Sequence, residues 1–408
     1  MIKEHKEINT VQCSPYEAYN FDSVFSYKHI CEAALLCKRN VFWKSSVQNF
    51  MRAMHYYCAV LYLELYNNTF KFQETNEFDI RERGKTRHIK SIKIRDRVIQ
   101  KVLCIYCLLP LFERTFIYDN CASLKNKGIT FAIKRLIAML CKFYRKHGNK
   151  GFVLCFDFKD YFNSIDHDIA LQLIMQKVKD ERILKLVLDA ISIYSNDKGS
   201  VGLGLGSELS QFIALLYANS IDHLIKDKFG IKYYIRYMDD GIVICESKEQ
   251  LEELLKAIRL ECEKLHLTIN EKKTYIVSIN KGFTFLKKRI LVKDSGKIVI
   301  RISRDTITRM RRKLYKLKNK LDKGTITLKN IEDAFISWRG IVEQFDTYYT
   351  VQRMNSIFKE IYGYIPYSKK ERRRIRESSN KRRIKAILNM YEKFESLIDK
   401  EVTNDDLL

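Results

Sequence analysis

The stretch YYIRYMDDGIVICE, residues 233–246, sets two adjacent carboxylates, Asp239 and Asp240, between two runs with the composition of β-strands. Like charges side by side repel, and burying them unpaired is costly. A chain that folds this way must either leave the turn in water or bring positive charge to it. The bland reading is a solvated type I′ turn, because Asp-Gly is a common hairpin signal. The rest of the sequence has to choose between the two.

Its composition describes a folded protein whose charge pattern suits a polyanion. An apolar fraction of 46% and an aromatic fraction of 12% exclude a disordered chain, and 408 residues allow two or three subdomains. Only 3 prolines and 15 glycines leave no room for a flexible linker, so the subdomains should pack together. Net charge is +25 and is concentrated: residues 301–323 hold 10 basic and 2 acidic side chains, and residues 368–385 the same numbers. Two short segments thus carry most of the excess, as expected of a surface that follows a polyanion. Solvated basic helices would give the same run, so charge alone names no partner.

The polar start MIKEHKEINT lacks an apolar signal core, and no apolar run approaches the ~20 residues of a membrane span. A cytoplasmic protein without a membrane partner is expected. The 11 cysteines lie among apolar residues and read as reduced core side chains. Cys104 and Cys107 have the spacing of a zinc knuckle, but no second pair follows, and both fit one helix face.

Along the chain, apolar spacing predicts two helices over 23–66, then a basic β-hairpin around Arg83-Gly84-Lys85, then helices over 96–116 and 129–145. FVLCFDF, residues 152–158, reads as a central strand buried on both faces that stops at the charge of Asp157. A helix near His167, a glycine-rich turn with Ser207 as cap, a further helix, the hairpin over 232–246 and an amphipathic helix follow. Short strands come next, and beyond Arg304 the chain reads as helical and basic. This order implies an α+β fold, an antiparallel sheet backed by helices. GLGLG does not sit in a βαβ unit and has no following Lys-Ser/Thr, so dinucleotide and P-loop folds fit poorly.

If Asp157 ends one strand and Asp239–Asp240 turn the neighbouring hairpin, strands ~4.8 Å apart bring the three carboxylates together. Three oxygen donors without His or Cys suit hard Mg²⁺. Two such ions would clamp both oxygens of an in-line phosphoryl transfer. That is the positive charge the acidic turn calls for.

FDFKDYF, GLGLGSELSQ, YMDD, NEKKT and GFTFL stand in the order and spacing of reverse transcriptase motifs A to E, and RGKTRHI and RDRVIQ resemble the fingers motifs of prokaryotic reverse transcriptases. The chain therefore resembles that family over roughly residues 80–345. The resemblance implies a right-hand polymerase with an N-terminal helical extension (1–70), fingers (71–150), palm (151–290, with 166–200 partly fingers), helical thumb (291–365) and basic tail (366–408). It implies an RNA-directed DNA polymerase that uses dNTPs and two Mg²⁺ ions, with Mn²⁺ as a substitute, to make cDNA on an RNA template. Asp157, Asp239 and Asp240 would be catalytic metal ligands. Lys273 would stand near the leaving pyrophosphate, although Lys272 beside it competes for the role. Lys85, Arg87, Phe158, Phe162, Gly206 and Gln211 would meet the nucleotide, Phe162 as the ring that excludes a ribose 2′-hydroxyl. Phe283 and Phe285 would grip the primer. Arg301, Arg304, Arg309, Arg311, Arg312, Lys369, Arg372, Arg373 and Arg382 would follow the nucleic-acid backbone.

Motif B departs from the Pro-Gln-Gly of many relatives: this chain has Gly204-Leu205-Gly206, then Ser210-Gln211. That pattern resembles diversity-generating and defence-associated bacterial enzymes, and the missing proline favours defence. Loss of the amide at Leu205 leaves a template-independent or protein-primed polymerase open, and a catalytically silent maturase-like RNA-binding protein is a third reading that three intact aspartates oppose. About 60 residues remain after the thumb-like region, too few for a typical RNase H or integrase domain. The N-terminal helices and the basic tail are expected to hold a structured non-coding RNA. Whether the chain joins copies of itself or an accessory protein stays open.

Overall fold

A computed structural model describes residues 19–82, 85–195 and 199–405; the side chains at 82, 85, 87, 369, 391 and 393–405 also lie outside the description. Gly84, and the side chains of Lys85, Arg87 and Lys369, are therefore outside the described residues. The chain divides into two compact units, one of residues up to 286 with 290–298, the other of 287–289 with 299 onward.

The first unit opens with four helices, α1 (Phe21–Val24), α2 (Tyr27–Cys37), α3 (Ser45–Arg52) and α4 (Met54–Tyr66). Each expected helix is split in two. Ser26 breaks the first by capping α2, its Oγ accepting from the amide of His29, and Ala53 breaks the second with non-helical backbone (φ −120°). The hairpin β1 (Asn76–Glu82) and β2 (Lys85–Ser91) follows, then α5 (Ile94–Leu103), a π-turn at Cys104–Leu108 that buries Cys104 and Cys107, and α6 (Leu109–Phe112). α7 (Ile129–His147) leads into β3 (Phe152–Asp157), α8 (His167–Met175) and α9 (Glu181–Ser192).

α10 (Glu208–Tyr217) begins at Ser207, whose Oγ accepts from the amide of Ser210, and α11 (Asn219–His223) continues it. Then come β4 (Tyr234–Tyr237), β5 (Asp240–Cys245), α12 (Lys248–Lys264) and β6 (Tyr275–Ser278). These strands make a four-stranded sheet of order β4-β5-β3-β6, antiparallel at each ladder. α12 packs against β3, β5 and β6, and α7 against β4. Five consecutive residues of β3, Val153 to Asp157, are buried, so both faces are covered and the strand reads as a continuous apolar run. The division between units falls among the short strands β7 (Phe283–Phe285), β8 (Lys288–Val292) and β9 (Ile298–Ile302).

In the second unit, α13 (Arg304–Asp322), α14 (Leu328–Val342) and α15 (Tyr348–Tyr362) enclose a core of Met310, Leu314, Ile331, Phe335, Met354 and Phe358. α16 (Lys369–Asp405) is tied to them at its start: buried Arg339 donates from Nη2 to both carboxylate oxygens of Glu371, at 2.8 and 2.6 Å. Among the described residues no helix is long and apolar enough to cross a membrane.

Candidate active site

The acidic turn lies two residues earlier than the Asp-Gly signal suggests. Tyr237 and Asp240 are the last paired residues of β4 and β5, so the two-residue loop is Met238-Asp239, not Asp240-Gly241. Met238 takes φ +54°, a left-handed conformation that costs a side-chain-bearing residue roughly 1–2 kcal/mol. Gly241 lies inside β5 for another reason. A Cβ there would come within 2.2 Å of the Phe156 ring on the neighbouring strand. Gly241→Ala should therefore cost about 1–3 kcal/mol through overpacking. Thermal unfolding of the single variant and of Gly241→Ala/Phe156→Leu checks this, because the smaller side chain should restore most of the loss.

Arg236 holds the strained turn. Its Nη1 donates to the Met238 carbonyl at 3.0 Å, and its Nη2 donates to the Leu215 carbonyl of α10 at 3.1 Å. Nε and Nη2 also grip Asp222 of α11, at 2.7 and 2.6 Å, and Tyr234 Oη donates to the same carboxylate at 2.7 Å. Arg236 and Asp222 are both fully buried. Burial works against the guanidinium charge, but Asp222 outweighs it and raises the pKa above the usual arginine value.

Antiparallel pairing sets Asp157 of β3 directly opposite Asp240 of β5, and the Asp239 carbonyl accepts from the amide of Phe158 at 3.3 Å. Three carboxyl groups thus meet at the ends of the two central strands. Burial first, then the charge of Asp239 and a hydrogen bond with Asp157, push Asp240 up to about 7. Burial and the nearby Asp157 also raise Asp239. Asp157 is buried. Its Oδ1 accepts from Asn270 Nδ2 at 2.9 Å and its Oδ2 from Lys273 Nζ at 2.6 Å. The pairing resolves the choice between neighbouring lysines at the level of contact: Lys273 is the one that reaches the cluster.

Among the described residues no group of three or more His, Cys, Asp or Glu is arranged to hold a metal ion as it stands. The donor chemistry nonetheless fits a hard cation, since every donor is an oxygen and the Lys273 ammonium already supplies positive charge at Asp157. A cation taking up Asp157 Oδ2 would have to displace that ammonium.

A cavity of about 540 Å³ opens on Asp239, within the size range of small-ligand pockets. Thr86, His88 and Lys90 of β2 line one side, with Phe162 and Leu205 among the remaining lining residues. The Phe162 carbonyl accepts from the amide of Leu203 at 2.8 Å, which fastens the segment after β3 to the glycine-rich turn. Gly204 has no space for a side chain: a Cβ would lie 2.0 Å from the Tyr194 ring. A proline, which carries a Cβ, is excluded there by the same ring. Gly206 takes φ +92°, which glycine alone adopts without strain. Gln211 lies on α10, where its Oε1 accepts from Ser123 Oγ at 2.7 Å.

Three expected contacts point elsewhere. Phe158 is buried between the rings of Phe156 and Tyr161, at centroid distances of 5.7 and 5.1 Å, so its side chain belongs to the core and not to the cavity beside Asp239. Phe283 and Phe285 are also buried, because residues two apart on a strand share a face. Thr284 between them is the exposed side chain of β7.

Of the expected backbone-contacting cations, Arg301, Arg304, Arg311, Arg312, Arg372 and Arg382 are exposed. Arg372 also donates from Nε to the Tyr367 carbonyl at 2.9 Å. Arg309 and Arg373 pair with Asp305 and Glu377 on their own helices, which lowers their capacity for phosphate. Arg304 and Arg311 share a groove of about 370 Å³ with Arg353 of α15, a residue outside both basic runs. Arg236, Asp222 and Asn270 also escaped sequence reasoning. The signal for Arg236 was present as a single charge in an otherwise apolar segment, YYIRY.

Residues 75–290, just over half of the chain, match the family model described as reverse transcriptase (RNA-dependent DNA polymerase). Protein YkfC of Escherichia coli (strain K12) is 23% identical over 254 residues, covering 52% of this chain and 65% of that protein. An uncharacterized 91 kDa protein in the cob intron of Schizosaccharomyces pombe is 24% identical over 275 residues, covering 48% of this chain and 34% of that protein. The chain thus spans less than two thirds of the length of either relative. An apo telomerase from Candida tropicalis, truncated from its C-terminal domain, is similar in structure with a TM-score of 0.43 at 15% identity, over 56% of this chain and 55% of that one. The match spans the paired strands, the acidic turn, the glycine-rich turn and the Lys273 segment, and the α+β chain belongs to the reverse transcriptase family, with its right-hand polymerase fold.

Proposed function

We propose that the protein is an RNA-directed DNA polymerase that copies an RNA template into cDNA from dNTPs. The observation that carries this reading is the register of β3 and β5, which sets Asp157 against Asp240 beside Asp239 at the mouth of a nucleotide-sized cavity. Asp157, Asp239 and Asp240 would hold two Mg²⁺ ions, or Mn²⁺ in their place. When bound, these ions stabilise charge on the attacking and leaving oxygens of phosphoryl transfer. Asn270 and Lys273 orient the Asp157 carboxylate, and Lys273 neutralises part of the crowded charge. Lys85 and Arg87, on the hairpin that borders the cavity, would meet the triphosphate.

Phe162 lines the cavity and would clash with a ribose 2′-hydroxyl. Phe162→Ala should raise ribonucleotide use relative to deoxynucleotide use on the order of tenfold, a change of ~1.4 kcal/mol in discrimination. Steady-state kcat/KM for each nucleotide checks it, and an unchanged ratio removes the gate from Phe162.

The template we favour is a dedicated structured non-coding RNA, in the service of antiphage defence in the cytoplasm; its support is the Gly204-Leu205-Gly206 departure and the basic segments. Diversity generation shares that chemistry. A second reading has its own observation: Leu205 puts an apolar side chain into the nucleotide cavity, where an amide would bond, which suits synthesis with weak template control. Purifying the protein with its bound nucleic acid, supplying Mg²⁺ and labelled dNTPs, and sequencing the product tests both. Product complementary to a co-purified RNA supports the first reading, and homopolymer supports the second.

A further inference from the structure

We propose that the cavity between α3, α4 and the open end of the β1–β2 hairpin binds single-stranded RNA, seating a base against Tyr57 and Phe78 and the flanking phosphates on Lys44, Lys93 and Arg97. The cavity measures about 630 Å³ and shares no lining residue with the nucleotide cavity beside Asp239. It is the larger of the two.

Its lining has the chemistry that single strands need. Tyr57 and Phe78 both line it and are 40% and 47% exposed, large apolar surfaces that face water in a protein with an ample core elsewhere. Tyr57 is not free to collapse, because its ring is stacked on that of buried Phe50 at 5.2 Å and 15°. A flat ring held from behind is a platform for a base, and every base offers a π-face.

Positive charge surrounds this platform. Lys44, Lys93, Arg95 and Arg97 line the cavity, and no Asp or Glu does among the described residues. Arg95 is already engaged, bonded through Nη2 to Glu64 at 2.5 Å and set over the Phe70 ring. Lys93 and Arg97 pair with no described carboxylate, and Lys44 reaches only the Trp43 ring, at 5.5 Å. Trp43, itself 75% exposed, continues the aromatic surface beyond the cavity. A protein segment could use the cations, but an exposed ring backed by a buried one and a second exposed ring, set among unpaired cations, favour nucleotides. Double-stranded RNA would satisfy the cations and leave the rings unused, because its bases are stacked on one another. The inference rests on the part of the proposed function that has the protein handle RNA; it does not require catalysis.

The test uses the full chain and a labelled oligouridylate, with fluorescence anisotropy read across a salt series. Lys44→Glu/Lys93→Glu should weaken binding at least tenfold and make the salt slope shallower by about 1.4, the counterion release of two phosphates on a single strand. Tyr57→Ala should weaken binding severalfold with the slope unchanged, since stacking releases no counterion. Photo-crosslinking of a thiouridine-containing strand to the unmutated protein should mark peptides of α4 or β1. Binding unchanged in both variants, or crosslinks confined to other peptides, overturns the proposal and leaves the cavity to a protein segment. Equal affinity for duplex RNA, lost equally in the variants, also overturns it. Asp239→Ala/Asp240→Ala should bind the oligonucleotide like the parent, so a failure of the polymerase reading would leave this result standing.

Discussion

Asp239→Ala/Asp240→Ala is expected to lose nucleotide incorporation by at least ~10³-fold, about 4 kcal/mol of transition-state stabilisation, while the protein stays folded. The two carboxylates sit where β4 turns into β5, with Asp157 opposite Asp240. Their contribution to folding runs the other way. Each is raised by burial and by its acidic neighbours, so the native state carries charge it would be more stable without. The double variant should therefore melt at the same temperature as the parent or higher. Incorporation assays beside thermal melts check both halves. Activity within tenfold of the parent would remove the acidic turn from catalysis.

Arg236→Ala should be the most damaging single substitution described here, costing about 3–5 kcal/mol of stability because it leaves Asp222 buried and unpaired. It also frees the carbonyls of Met238 and Leu215. Arg236→Lys keeps a charge but cannot reproduce the forked contact, so it should recover only part of the loss. The informative variant is Arg236→Ala/Asp222→Ala. Removing both charges should restore much of the stability, yet the left-handed Met238 would still lack its donor. Melting temperature should then recover while kcat does not. If activity returns in step with stability, Arg236 serves the fold alone and does not position the acidic turn.

Where sequence and structure agree, the information was local. Ser207 could be read as a cap because its neighbours determine it, and Asp157 could be read as the end of a buried strand because charge interrupts an apolar run. Errors arose where one residue type serves two ends. Phe158, Phe283 and Phe285 have the chemistry for either a core or a cavity, and only packing decides. The spacing did hold a clue, since two phenylalanines flanking Thr284 must share a face, and an apolar face turns inward. Gly241 looked like a turn residue by its position after Asp240, yet its role is to admit the Phe156 ring. Gly204 looked like a departure in a motif, and the reason for it lies ten residues upstream at Tyr194. The Arg236–Asp222 pair joins a strand to a helix, and no periodicity within either element announces such a contact.

The most direct test of the central claim is primer extension on a defined heteropolymeric RNA template, with all four dNTPs and Mg²⁺, followed by sequencing of the product. DNA complementary to the supplied RNA is expected, made by the parent and not by Asp239→Ala/Asp240→Ala. Product whose sequence ignores the template, or no product with primer, RNA and metal all supplied, would contradict the claim.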